Sequence, residues 1–369
     1  MKSKKFWSYE VANQFNLTDE ILSTAKQRGR FYEDSLIFYD IIGTGIHPSL
    51  KGLQGKVPTV LNFNNVLVDI NTIKIIFHLF PNSKITAIKF NNNNFNLKTL
   101  ECFVNYYNEK EHNISDISYE WNSDVIIENI KYSYKDMNII EDEKLLQDLQ
   151  KTKNLLVNLA TYCPSKLEIL SLRGNFLGDK VAIKIFEGMK KQDNFIRALN
   201  LYKNDLTDEC IKTFGDMILI NRNLEEINFG SNHLTDNAFK FFIKNYGMFL
   251  LNEEKLDEYK KLEKERHEII KQNAKLKAAK KPELEVPFLD ELKEKDGAFY
   301  LVKNDILRVF NFIQNNFTDK CFENLKKILE GNRDAFITIE GKIFTDEQKS
   351  VLKSLVPGHK YGERIFLLK

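Results

Sequence analysis

Between Lys166 and Phe242 apolar and polar positions alternate in one arrangement, three times over. Leu167, Leu170, Leu172, Asn175 and Leu177 recur as Ile196, Leu199, Leu201, Asn204 and Leu206, then as Leu224, Ile227, Phe229, Asn232 and Leu234. The first positions lie 29 and 28 residues apart (167 to 196 to 224). In each copy the apolar pair two residues apart, such as Leu199 and Leu201, has a strand's period and predicts a short strand with one buried face. The asparagine follows where the chain must leave the strand, and its amide can satisfy backbone groups that the turn leaves unpaired. Next come Leu206, Thr207, Asp208, Glu209 and Cys210, with a hydroxyl or carboxylate placed to cap a helix through Ile211, Phe214 and Met217.

One strand–turn–helix unit cannot bury its own apolar faces, so at least about three must stack. More copies are indeed readable. Ile85, Ile88, Phe90, Asn93 and Phe95 fit fully, and Ile114, Ile117, Tyr119 and Asn122 follow 29 residues later (85 to 114). Val57, Val60, Asn65 and Leu67 make a looser copy, because Asn62 falls on an apolar position and Leu61 and Phe63 offer a rival register. Downstream, Leu307, Phe310, Phe312, Asn315, Phe317, Thr318 and Asp319 repeat the motif closely. A last copy at Ile337, Ile339, Lys342 and Phe344 lacks its asparagine, and Ile365 and Leu367 predict a closing strand. Seven asparagines (Asn65, Asn93, Asn122, Asn175, Asn204, Asn232 and Asn315) thus stand in register and predict a ladder.

The pattern L-x-x-L-x-L-x-x-N-x-L at this period resembles the ribonuclease-inhibitor-like class of leucine-rich-repeat proteins, over roughly Gly55 to Lys369. The resemblance implies an α/β solenoid: a curved parallel sheet inside, helices outside, and a surface that mostly binds other proteins. The class includes axonemal proteins, intracellular immune receptors and the GTPase activator of Ran, so the fold does not choose among these jobs.

Four segments are predicted: a helical N-terminal cap (1–55), repeats (56–249), a charged helical insertion (250–297), and last repeats with a C-terminal cap (298–369). Residues before 55 do not follow the repeat. Thr18, Asp19 and Glu20 open a helix, and Phe31, Tyr32, Leu36, Phe38 and Tyr39 supply aromatics to cover the first repeat. A partner-docking arm is the other reading of this segment. The interval from Ile114 to Leu167 is 53 residues, and the run Glu141 to Ala160 predicts an enlarged repeat that packs. The interval from Leu224 to Leu307 is 83 residues. Its charged stretch, Asn252 to Lys281, carries Leu262, Ile269 and Leu276 seven apart, with Tyr259, Arg266 and Asn273 on the adjoining seam. It reads either as a solvated helix or as a helical arm that docks on a neighbour.

Composition narrows the function classes. The 369 residues are 43% hydrophobic and 29% charged, with a formal charge of +2. That balance argues against nucleic acid as the main partner, and no apolar run reaches the length of a membrane span. A chain beginning with Lys2, Lys4 and Lys5 before Phe6 and Trp7 lacks a signal peptide's apolar stretch, so a cytoplasmic home is expected. Cys210 and Cys321 fall where other copies carry Val181 and Ala238, and with Cys102 and Cys163 they form no C-x-x-C pair. They are read as core thiols rather than ligands or nucleophiles. The six histidines lack metal-ligand spacing, and Val57 after Gly55 and Lys56 breaks the P-loop pattern. No cofactor, metal or small-molecule substrate is therefore expected.

What remains is the concave face of the sheet. Its candidate binding residues are Lys89, Glu120, Arg173, Asn200, Tyr202, Glu226, Asn228 and Asn311. Arginine and tyrosine are residue types that often anchor protein interfaces. The expectation is a non-enzymatic interaction scaffold in a multi-subunit complex, with the ciliary axoneme as one home. A Ran-type GTPase activator and an adaptor in ubiquitin or immune signalling are the alternatives. The chain ends Tyr361, Gly362, Glu363, Arg364 without the acidic tail of the Ran-activating proteins.

Overall fold

A computed structural model describes residues 6–25, 27–93, 95–122, 143–161, 166–191, 194–295, 297–302, 306–332, 334–355 and 365–368. Its spine is a nine-stranded parallel sheet made of β1 (Val60–Asn62), β2 (Ala87–Asn91), β3 (Asp116–Glu120), β4 (Ile169–Ser171), β5 (Ala198–Asn200), β6 (Glu226–Asn228), β10 (Val309–Asn311), β11 (Phe336–Glu340) and β12 (Ile365–Leu368). The strands lie in chain order, and a helix follows most of them on the opposite side, so the chain is a leucine-rich-repeat solenoid. Leu170, Leu199, Ile227 and Phe310 pair across β4, β5, β6 and β10, and all are buried. Phenylalanine fills the space between sheet and helices. Phe90 meets Phe103 at 5.0 Å and Phe214 meets Phe229 at 5.0 Å, both edge-on, the preferred aromatic geometry.

The asparagine ladder is present and works in both directions. The Asn204 amide donates to Leu172 O in the preceding unit (3.0 Å), and its Oδ1 accepts the backbone N–H of Asn175 (3.1 Å). Asn122 serves Asn93 and Phe90, Asn175 serves Asn122 and Tyr119, and Asn232 serves Asn204 and Leu201 in the same way. Asn315 continues the ladder through Leu234 N and Phe229 O. Asn65 does not belong to it. β1 pairs Leu61 with Ile88, so the rival register holds: Leu61 and Phe63 are buried while Val57 and Val60 are exposed. The ladder asparagine of the next unit, Asn93, reaches back to Phe63 O and Val66 O, so Val66 holds the rung position. Asn65 instead aligns with Asn92 at a turn position where the backbone is left-handed (φ 59° and 55°), which asparagine tolerates better than most residues.

A second ladder was not foreseen. Thr207 caps the helix Asp208–Ile220, but Asp208 does not serve its own helix alone. Its carboxylate takes the backbone N–H (2.8 Å) and hydroxyl of Thr235 in the next unit. Asp179 holds Thr207 and Asp236 holds Thr318 likewise. Adjacent coils are thus pinned at both ends of the turn. Cys210 and Cys321 are buried as expected, and burial pushes the Cys321 thiol up to about 12. Cys163 lies outside the described residues.

The first helices, Tyr9–Gln14, Asp19–Thr24, Phe31–Ile42 and Pro48–Lys51, cover the open end of the sheet. Buried Asn71 stitches them down, donating to Ala12 O and Phe15 O (both 2.6 Å) and accepting from Leu17 N (3.2 Å). His47 is fully buried between Trp7 and Phe63, with Nε2 on Leu67 O (2.9 Å) and Nδ1 accepting Ser49 N (3.2 Å). Protonation would turn that acceptor into a donor facing another N–H.

Across the interruption β3 pairs directly with β4, Asp116 with Ile169. The helix Glu143–Thr161 takes the usual helix place, burying Leu156, Leu159 and Ala160. The second interruption is an arm: β7 (Met248–Leu250), a helix over Glu253–Ala278, β8 (Glu291–Lys295) and β9 (Ala298–Val302). Its strands form an antiparallel sheet in the order β7, β9, β8, so the arm runs past the expected boundary at 297 to Val302. The seam read at heptad spacing packs within the arm: Tyr259 donates to Asp290 O (2.6 Å), and Asn273 brackets the backbone of Leu284 (2.7 Å each way). Below the arm, β6 pairs with β10 as though nothing intervened.

Two outcomes follow from this packing. Asn204→Ala orphans buried backbone groups in two units and lowers unfolding free energy in urea by about 3 kcal/mol, whereas Asn65→Ala, which removes no rung and only places alanine at positive φ, lowers it by about 1 kcal/mol. Burial lowers the His47 pKa to about 4. The folded state therefore favours neutral imidazole, a contribution present above the unfolded pKa of about 6.5 and lost as pH falls toward 4. Unfolding midpoints measured across that window fall by the equivalent of roughly 3 kcal/mol, and His47→Gln flattens the slope.

Candidate functional site

Along each strand the residues between buried apolar positions face inward, and they fall into columns because the strands are in register. One column reads Lys89, Ser118, Ser171, Asn200, Asn228 and Asn311. The asparagines here are partly used. Asn200 Oδ1 accepts Tyr202 N (3.1 Å), Asn228 accepts Gly230 N (2.9 Å), and Asn311 accepts Ile313 N (3.1 Å). Their side-chain carbonyls thus close the end of each strand, leaving amide N–H groups for a ligand.

Lys89, Glu120, Asn200, Glu226 and Asn228 converge with Asp116 on one groove of about 320 Å³. Three carboxylates against one ammonium make it acidic. Glu120 accepts the hydroxyl of Ser171 (2.6 Å) and lies 3.0 Å from that of Ser118, so its carboxylate is held in place. Burial raises the Asp116 pKa, with Lys89 working against the rise. Asn311 is not among the residues lining this groove.

Arg173 and Tyr202 stand apart from it, just beyond the ends of β4 and β5, in a cluster completed by Trp121 and Lys203. The Arg173 guanidinium lies 4.2 Å from the Tyr202 ring centre and 5.3 Å from that of Trp121. Lys203 brings its ammonium to 4.9 Å from the same Trp121 ring. Cation–π stacking on two faces holds the guanidinium plane. Two glycines make room for the rings. A Cβ on Gly174 would clash with the Trp121 ring at 2.3 Å, and one on Gly230 would sit 2.8 Å from the Tyr202 ring. The Tyr202 hydroxyl donates to Gln314 (2.5 Å). Trp121, Gly174 and Lys203 occupy the same left-handed turn position in successive units (φ 57°, 69° and 52°). For tryptophan that conformation is a strained choice. Once units are aligned on their ladder asparagines, this column is readable, since each residue immediately precedes one: Trp121, Gly174 and Lys203.

Other candidate chemistry stays structural. Burial lowers the His112 pKa, and its ring bonds Tyr107 O (2.8 Å) and Ile114 N (3.1 Å). His233 is exposed, 3.6 Å from Asp205. His359 and the chain end at 361–364 lie outside the described residues. Among the described residues no group of three or more histidine, cysteine, aspartate or glutamate side chains is placed to hold a metal ion, and no helix is long and apolar enough to cross a membrane.

No family model matches the chain, and no curated protein does. Among solved structures it is similar to the leucine-rich-repeat-containing protein LegL7 of Legionella pneumophila, with 13% identity, 88% of each chain covered and a TM-score of 0.37. The strand order and the asparagine ladder make the fold a leucine-rich-repeat solenoid.

The chain has two tryptophans, so Trp7→Phe leaves Trp121 as the reporter of the cluster. In that background Gly174→Ala displaces the ring and forces an alanine to positive φ. The expected result is an altered emission maximum and a loss of about 1–3 kcal/mol in unfolding free energy; an unchanged spectrum would show that the ring does not lie on Gly174.

Proposed function

We propose that this chain is a non-enzymatic protein-interaction scaffold, a structural subunit of a larger assembly, and that its inner sheet face is the docking surface. One observation carries the reading. Side chains from five consecutive units, β2 to β6, present an acidic groove and, beside it, a cation held between aromatic rings, all on a backbone tied by two ladders. Preorganised polar groups beside an aromatic–arginine anchor are the ingredients of a protein hot spot. The unit length and the helix in most units support the ribonuclease-inhibitor-like class among leucine-rich-repeat proteins. The ciliary axoneme is one assembly that members of this class serve, and we take it as this chain's home; a diffuse distribution in a cell that has no cilia would remove that assignment. The arm at 248–302, a charged helix on a small antiparallel sheet, offers a second contact for the same assembly.

The test is a mass-spectrometric inventory of proteins that copurify with the tagged chain, taken beside a Glu120→Lys, Glu226→Lys variant and a variant lacking the arm. The expected outcome is a set of structural partners depleted at least about tenfold by the charge reversals. Recovery of one small GTPase, indifferent to both variants, would replace the scaffold with an enzyme activator.

A further inference from the structure

Arg173 has five N–H donors and donates none of them to any described residue. Its Nε is buried and has no partner among the described residues. Among the described residues neither Arg173 nor Lys203 forms an ion pair, although Glu120 and Glu226 lie on nearby strands. Glu120 is instead turned to the serines. A guanidinium clamped between two rings keeps its plane fixed, while among the described residues its edge donors stay unused. That arrangement matches a planar oxyanion, which takes two parallel N–H bonds. It is also held at some expense, since Trp121 has a left-handed backbone and Gly174 and Gly230 cannot carry a side chain beneath the rings.

We propose that the Arg173–Lys203 pair, between Trp121 and Tyr202, is a receptor for a carboxylate of a partner polypeptide. This rests on the reading that the inner face binds protein and names what one end of that face recognises. A carboxylate fits better than a phosphate group because of the neighbouring groove. Asp116, Glu120 and Glu226 against Lys89 give that groove a negative field, which opposes a dianion more than a monoanion. The same field favours a partner whose carboxylate is followed by basic or neutral residues lying along the groove.

Purified full-length chain carrying Trp7→Phe is titrated while Trp121 fluorescence is followed. The probes are N-acetyl-tetraglutamate amide (side-chain carboxylates), N-acetyl-tetraglutamine with a free C-terminus (a chain-end carboxylate), N-acetyl-tetraglutamine amide (neutral) and inorganic phosphate. The expected result is a saturable change with one of the two carboxylate peptides, at least about tenfold tighter than with the neutral peptide and weakened about tenfold by Arg173→Gln. Arg173→Lys restores only part of the affinity, because a point charge lacks the bidentate fork. If Arg173→Gln does not fold, Lys203→Gln decides, with a several-fold weakening expected. A saturable response to neither carboxylate, a response indifferent to these substitutions, or tighter binding of phosphate overturns the proposal. Retention of copurifying partners alongside such a failure would leave the scaffold reading in place and dismiss the carboxylate alone.

Discussion

The buried asparagine at the end of each strand is the constraint from which the rest of this structure follows. A parallel sheet of very short strands, three residues at β4, β5 and β6, has few ladder bonds per unit, and its turns leave backbone groups inside the protein. Each asparagine offers two donors and an acceptor, and spends them on its own turn and on the unit before it. A unit is therefore incomplete without its neighbours, which makes stability a property of the array rather than of any coil. The aspartate–threonine ladder repeats this logic on the helix side of the turn. Where the rungs stop, at Val66 on one side and Lys342 on the other, the repeat gives way to the N-terminal helices and to the closing strands β11 and β12.

That regularity is what makes a recognition surface possible. Because successive strands are in register, one position in the repeat becomes one row across the sheet, and unlike residues in that row are brought side by side. Trp121 and Lys203 share such a row, with Arg173 and Tyr202 in the row beside it. The glycines 174 and 230 are the gaps in these rows into which the rings fold. Strain at Trp121 is tolerated because the hydrogen bond from its backbone N–H to Arg173 O (3.0 Å) is one more rung of the sheet.

The arm shows how much a solenoid tolerates. It leaves after Tyr246 and returns before Leu307, and the Tyr246 hydroxyl donates to Leu307 O (2.8 Å), joining the two ends of the loop. Loop-closure entropy grows only slowly with length, so an insertion closed at its base costs the array little. Within the arm, Leu262 and Ile270 remain exposed on the helix, and Leu284, Val286 and Phe288 on the segment that leads into β8.

Most of the fold was legible in the chain itself, since leucine, asparagine and leucine at fixed spacing already contain the strand, the turn and the packing face. The first copy was misread at Asn65, because asparagine suits two neighbouring positions in the repeat: the rung, where its amide is buried, and the left-handed turn one residue before. Only the pairing of Leu61 with Ile88 tells them apart. Arg173 and Tyr202 could be named from their inward phase, but not their partners. The boundary at 297 moved for the same reason, because the antiparallel pairing of Ala298–Val302 joins residues that periodicity does not connect. The repeat, and through it the strand order, can be read from residue spacing alone, because that information is local to each unit. Which side chains from different units meet was decided only by the stacked structure, because those contacts depend on register and on how far each ring can settle onto its neighbour's backbone.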